Sequence, residues 1–65
     1  MKFYRPVYNN VNQCWHVMAG PSCSEFIVQG CRNLNKEQAE ITARYLNGFD
    51  ISESEKIHIP SQVLI

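Results

Sequence analysis

The sequence has no excess of either charge, because six lysines and arginines balance six aspartates and glutamates over 65 residues. Without a net field, nothing draws the chain over long range toward nucleic acid or anionic lipid. It also lacks any run near the ~20 apolar residues that a membrane span needs. Its opening residues, Met1-Lys2-Phe3-Tyr4-Arg5-Pro6, hold no apolar stretch suited to a signal peptide. Three cysteines are too few for a disulfide-dense secreted scaffold, and their odd number leaves one unpaired. Together these absences predict a cytoplasmic protein with reduced thiols and no membrane contact.

Catalytic patterns are missing as well. There is no Gly-rich phosphate loop, no Ser-x-x-Lys and no His-Glu-x-x-His. Cys14 and His16 stand two apart, but no acid near them in sequence would orient the imidazole for nucleophilic work. The acids collect at Glu37, Glu40 and in the tail, where a solvated face accounts for them. A chain this short also has little room for a ligand site, which occupies ~300 Å³ or more. The expectation is a protein that is not an enzyme and carries no cofactor. The soft groups Cys14, His16, Met18 and Cys31 fall on one predicted strand face, with Cys23 at the nearby turn. They lack the close Cys-x-x-Cys or His-x₃-His spacing of structural zinc sites, and buried cysteine behaves as a small hydrophobe. A Cys14–Cys31 disulfide suits two opposed strand residues, but it would not persist in a reducing cytosol.

What the sequence does contain is a well-patterned hairpin. Residues 14–19 and 24–31 read as two strands joined at Gly20-Pro21-Ser22-Cys23. Side chains alternate between faces, so an antiparallel pairing sets Trp15 against Gly30, Val17 against Val28 and Ala19 against Phe26 on an apolar side. Trp15 would then cover the packing that a strand glycine gives up. The other side carries Cys14 against Cys31, His16 against Gln29 and Met18 against Ile27. Ahead of the hairpin, Phe3 to Tyr8 reads as a further strand, with Pro6 placing it at a sheet edge. The Asn-rich connection at 9–12 leaves two registers open, with either Tyr4 and Tyr8 or Phe3 and Val7 joining Trp15.

A helix follows over 35–48. Asn35 is a good N-cap and Gln38 can reach back to it, while Leu34 and Ala39 are spaced for a hydrophobic staple. Gly48 supplies the left-handed residue after the last turn, and Glu40 and Arg44 form a four-apart pair. Ala39, Thr42, Ala43 and Leu46 make a narrow stripe of mostly small side chains to lie on the sheet. Ile41 and Tyr45 fall to one side of it, to be covered either by the tail or by a second chain. In the tail, Ser52 to Glu55 can cap one helical turn. Ile57-His58-Ile59-Pro60 alternates like a short fourth strand, and Val63-Leu64-Ile65 is aliphatic enough to dock in cis or on a partner.

The predicted fold class is α+β, a single domain in which a three-stranded antiparallel sheet (3–31) packs on one helix (β-β-β-α). The order of elements, with Trp15-x-Val17 in the second strand and Ala39-x₃-Ala43 near Leu46 in the helix, resembles the small arm-binding domains of phage-type integrases over about residues 3 to 48. That resemblance implies DNA reading through the sheet. The face that should carry lysine and arginine has at most Arg5, however, and phosphate contacts supply most non-specific affinity. Size, neutrality and the lack of catalytic groups also resemble accessory proteins of phages and other mobile elements, which act as stoichiometric inhibitors of host or defence proteins. The expectation is therefore a protein-binding module, and nucleic acid is the alternative. His16, Met18, Ile27 and Gln29 are the partner-binding candidates, and Ile41 and Tyr45 those for a homodimer.

Overall fold

The computed structural model describes residues 3–21 and 24–64. Three strands form one antiparallel sheet in the order β1-β2-β3, with β1 Tyr4–Asn9, β2 Cys14–Ala19 and β3 Phe26–Ile27. Helix α1, Lys36–Leu46, packs on β1 and β2, and a single-turn helix α2, Glu53–Lys56, follows. This is the α+β arrangement expected. The Cα trace measures 33 × 29 × 16 Å, thin because two layers make up most of it.

The β1–β2 connection spans Asn10 to Gln13. The Asn9 side chain accepts the Val11 N–H at 3.0 Å, and Gln13 takes a left-handed φ of 53°. This loop length settles the open register, setting Tyr4 opposite Ala19, Pro6 opposite Val17 and Tyr8 opposite Trp15. Tyr4 and Tyr8 therefore join the Trp15 side. The Tyr8 and Trp15 rings lie 5.4 Å apart at 59°, a tilted geometry that aromatic pairs favour.

The β2–β3 pairing starts as predicted, with Ala19 opposite Phe26 and Met18 opposite Ile27, but it does not continue to Gly30. Val28 N–H still donates to the Val17 carbonyl at 2.9 Å. The chain then turns, with Cys31 N–H on the Val28 carbonyl at 3.0 Å and Gly30 at φ +85°. Gln29 and Gly30 are thus looped out, and the ladder resumes where Val17 N–H donates to the Cys31 carbonyl at 3.1 Å. Trp15 ends opposite Leu34, exchanging two hydrogen bonds of 2.7 and 2.8 Å with it. The expected pairs Trp15–Gly30, His16–Gln29 and Cys14–Cys31 are therefore not formed. The cause is a turn that only a glycine enters without steric cost.

The core is small in its side chains. Val17, Cys31, Leu34, Ala39 and Ala43 are buried together, with Tyr4, Trp15, Val28, Leu46 and Val63 packed around them. Alanines at 39 and 43 let α1 lie close on the sheet, as the stripe predicts. The N-terminus of α1 has the expected capping box: Gln38 N–H donates to Asn35 Oδ1 at 2.7 Å, and Asn35 N–H donates to Gln38 Oε1 at 2.9 Å. At its other end, Gly48 at φ +93° lets Phe49 N–H reach the Arg44 carbonyl (3.0 Å) and Gly48 N–H the Tyr45 carbonyl (3.1 Å). These two bonds constitute a Schellman motif.

The tail folds back on its own chain. Ile59 is buried, Val63 packs on the core, and Gln62 covers Gly30. Residues 57–59 form a turn, in which His58 N–H donates to Glu55 and Ile59 N–H to Lys56, rather than a fourth strand. Ile65 lies outside the described residues.

Candidate interaction surface

The sheet has two unlike faces. Its inner face, carrying Tyr4, Pro6, Trp15, Val17 and Ala19, meets α1. Alternation then puts Arg5, Val7, His16, Met18 and Ile27 on the outer face. Arg5 is opposite Met18, which is opposite Ile27, so these three form one row; Val7 and His16 form the next. Val7, His16, Met18 and Ile27 are all half-buried. Across the end of this face runs an ion pair between β1 and the residue just before β3. Arg5 reaches Glu25, with Nε donating to Oε2 at 2.9 Å, and the Glu25 side chain is only 18% exposed. The outer face is therefore apolar in its middle, and its cation is already paired.

Of the four predicted partner-binding residues, the structure brings together His16, Met18 and Ile27. Gln29 leaves the sheet in the turn with Gly30 and is exposed there. Val7, opposite His16, takes the place sequence reasoning gave to Gln29. It was missed because its face depended on the undetermined length of the first loop.

Of the predicted association patch, Ile41 is enclosed within the chain itself. Ile41 is 3% exposed and has almost no surface to offer a second copy. The tail shields that flank of α1: Arg44 Nη2 donates to Glu55 Oε2 at 2.8 Å, and His58 Nε2 lies 3.7 Å from Glu37. Residues 37, 41 and 44 share one helix face, so these contacts bracket Ile41. Arg44 is thereby drawn to Glu55 rather than to Glu40. Tyr45 remains half-buried.

The cysteines are separated by the turn at Gly30. Cys31 is buried in the core, where desolvation pushes its thiol pKa up from 9.0 and keeps it neutral. Cys14 begins the central strand β2, its Sγ 3.5 Å from Asn33 Oδ1. Both are free thiols, and the soft-ligand set expected on one face is split between two. Cys23 lies outside the described residues.

Exposed aromatics add a feature that periodicity did not reveal. Phe3, Phe26 and Phe49 are 59%, 60% and 63% exposed, although Phe26 is on the inner side of the sheet. α1 lies over β1 and β2 and leaves the two-residue β3 uncovered, which accounts for Phe26. Among the described residues no helix is long and apolar enough to cross a membrane. No family model, curated protein or solved structure matches the chain.

Proposed function

We propose that this protein is a small binding module without catalytic activity, acting by occupying the surface of another protein through the outer face of its sheet. The observation that carries this reading is the row Met18–Ile27 with the neighbouring pair Val7–His16, an apolar centre on the sheet face that α1 does not cover. Methionine and apolar groups adapt to a partner surface, and interface centres are depleted in charge. The tie between Arg5 and Glu25 favours a protein over a nucleic acid, since among the described residues it leaves the face without an unpaired lysine or arginine for phosphate.

The test is affinity capture from the native host with three forms of the protein: parent, Met18→Ala/Ile27→Ala, and Ile57→Ala. Ile57 is 80% exposed and lies in the tail, away from the sheet, so it controls for nonspecific apolar contact. Stoichiometric capture of one protein by the parent and the Ile57 variant, lost in the double variant, is the expected result. Equal capture by all three, or none by any, would remove the basis for the proposal.

A further inference from the structure

Asn47 is followed by Gly48, and no other asparagine in the chain precedes a glycine. That dipeptide carries a reaction of its own, because glycine has no Cβ to shield its nitrogen from the preceding side-chain amide. We infer that Asn47 is a deamidation site, a self-modification that takes water as its co-reactant and is held in check by the contact between Asn47 and Tyr4. The Gly48 nitrogen attacks the Asn47 Cγ, giving up its proton as the new C–N bond forms, and the side-chain nitrogen leaves as ammonia. Water then opens the five-membered ring. Breakage of the new bond leaves aspartate at position 47, and breakage of the original peptide bond leaves isoaspartate. An amide and a water become a carboxylate and ammonium, with nothing oxidised or reduced.

The fold leaves this site open to solvent and yet restrained. Asn47 and Gly48 are both exposed, and nothing stands within 4 Å of where a Gly48 Cβ would be. Water and base therefore reach the dipeptide, and burial gives no protection. What holds both reactants is hydrogen bonding. Asn47 Oδ1 accepts the Tyr4 N–H at 3.0 Å and its Nδ2 donates to the Tyr4 carbonyl at 2.8 Å, so the amide is turned to β1. The Gly48 N–H is spent on the Tyr45 carbonyl at 3.1 Å. Asn47 has ψ −2°, which sets the Gly48 nitrogen over Asn47's own nitrogen and away from its side chain. Ring closure thus needs the amide released and ψ rotated, a local opening at the end of α1. The product cannot close again in the same way. A carboxylate meets the Tyr4 carbonyl with an acceptor instead of a donor, and isoaspartate carries the main chain through the side chain. Conversion therefore leaves the Tyr4 carbonyl, on the outward edge of β1, without its donor.

Full-length protein held in mildly alkaline buffer, folded and in urea, tests this, with peptide mapping of each asparagine for carboxylate and isoaspartate. Asn47 should convert ahead of Asn9, Asn10, Asn12, Asn33 and Asn35, and more slowly in the folded chain than in the unfolded one. Because the opening is local, the folded rate should stay flat in urea up to the unfolding transition. Tyr4→Pro, which removes the N–H that Asn47 accepts, should speed conversion about 2- to 10-fold, the worth of one hydrogen bond. Gly30→Ala, which destabilises the chain away from this contact, should leave the rate unchanged. Converted protein, separable by its added negative charge, should unfold at lower urea than the parent. Conversion led by another asparagine, equal rates folded and unfolded, or a folded rate that rises with urea would each overturn the assignment. So would acceleration by Gly30→Ala but not by a folded Tyr4→Pro, or an unshifted urea midpoint after conversion. The urea series decides the matter even where Tyr4→Pro fails to fold.

Discussion

Asn47 stands beside Tyr4 as a strand residue would, accepting its N–H at 3.0 Å and donating to its carbonyl at 2.8 Å. One side-chain amide at the end of α1 thereby closes the first outward slot of the exposed β1 edge. Pro6 removes the donor from the next slot, so two of the three outward positions of β1 cannot template a further strand. The pair also fastens helix to sheet in a chain with few large core residues.

Asn47→Ala should therefore cost about 1–2 kcal/mol, the net worth of two hydrogen bonds. The measurement is the urea midpoint at unchanged slope. Hydrogen exchange at the Tyr4 amide should speed up in parallel. A midpoint shift without faster exchange at Tyr4 would mean that Asn47 acts through the helix end alone.

Gly30 is constrained twice over. Its φ of +85° is one that side-chain-bearing residues adopt at a cost, and a Cβ there would run into the side chain of Gln62, whose own Cβ is 3.1 Å away. Gly30→Ala should destabilise by about 1–2 kcal/mol from the backbone alone, with more from the collision. Adding Gln62→Ala removes the colliding amide but keeps the Gln62 Cβ at 3.1 Å, so it should recover only the amide's share of the loss and leave the backbone part. Full recovery in the double variant would show that the φ angle is not the constraint.

Much of this architecture is legible in the chain, and the limits of that legibility are specific. The α1 caps could be read from Asn35, Gln38 and Gly48 because capping is a local matter of a few residues. The Trp15-Val17-Ala19 face could be read because period-2 alternation survives any two-residue slip. What failed was the interval from Val28 to Leu34. An uninterrupted strand and a strand broken by a glycine turn have the same apolar pattern, in which Gly30 suits a packing gap under Trp15 as well as a left-handed turn. That one difference moved Cys31 into the core, released Gln29 from the sheet and gave Trp15 a different partner. The burial of Ile41 was undetermined for another reason. It depends on where a polar tail docks, and the Arg44–Glu55 ion pair and the Glu37–His58 contact join residues too distant in sequence for any periodicity to report.

Glu55 links tail stability to pH. Its hydrogen bonds to Arg44 and then to Ser52 hold the carboxyl pKa below 4.5 in the folded chain. A depressed folded pKa means that protonation favours the unfolded state. The contribution is therefore complete above the unfolded value and disappears as pH falls through the folded one. Glu55→Gln should thus be less stable than the parent at neutral pH, with the difference in Tm shrinking as the pH drops below 4.5. The Arg44–Glu55 pair lies at the surface, so added salt should shrink the difference as well. A difference that stays constant down to pH ~3, past the usual carboxylate range, would assign Glu55's role to packing rather than charge.

Thr42 is the polar residue buried most completely among those described, with no exposed surface and no hydrogen-bond partner for Oγ1. It lies in the alanine stripe of α1, where β-branching fits the contact with the sheet but a hydroxyl has nothing to bond. An unsatisfied buried hydroxyl costs roughly 1–3 kcal/mol relative to an apolar group of the same shape. Thr42→Val keeps the branching and volume and removes the orphan oxygen, so it should leave stability unchanged or raise it by about 1 kcal/mol, allowing for partial relaxation. Thr42→Ser keeps the oxygen and loses a methyl, so it should lower stability by about 1 kcal/mol. A loss in Thr42→Ser with no loss in Thr42→Val, read from urea unfolding, is the expected signature of a hydroxyl tolerated for its shape. If Thr42→Val is instead the more damaging of the two, the oxygen has a bonding role, and the helix–sheet contact depends on it.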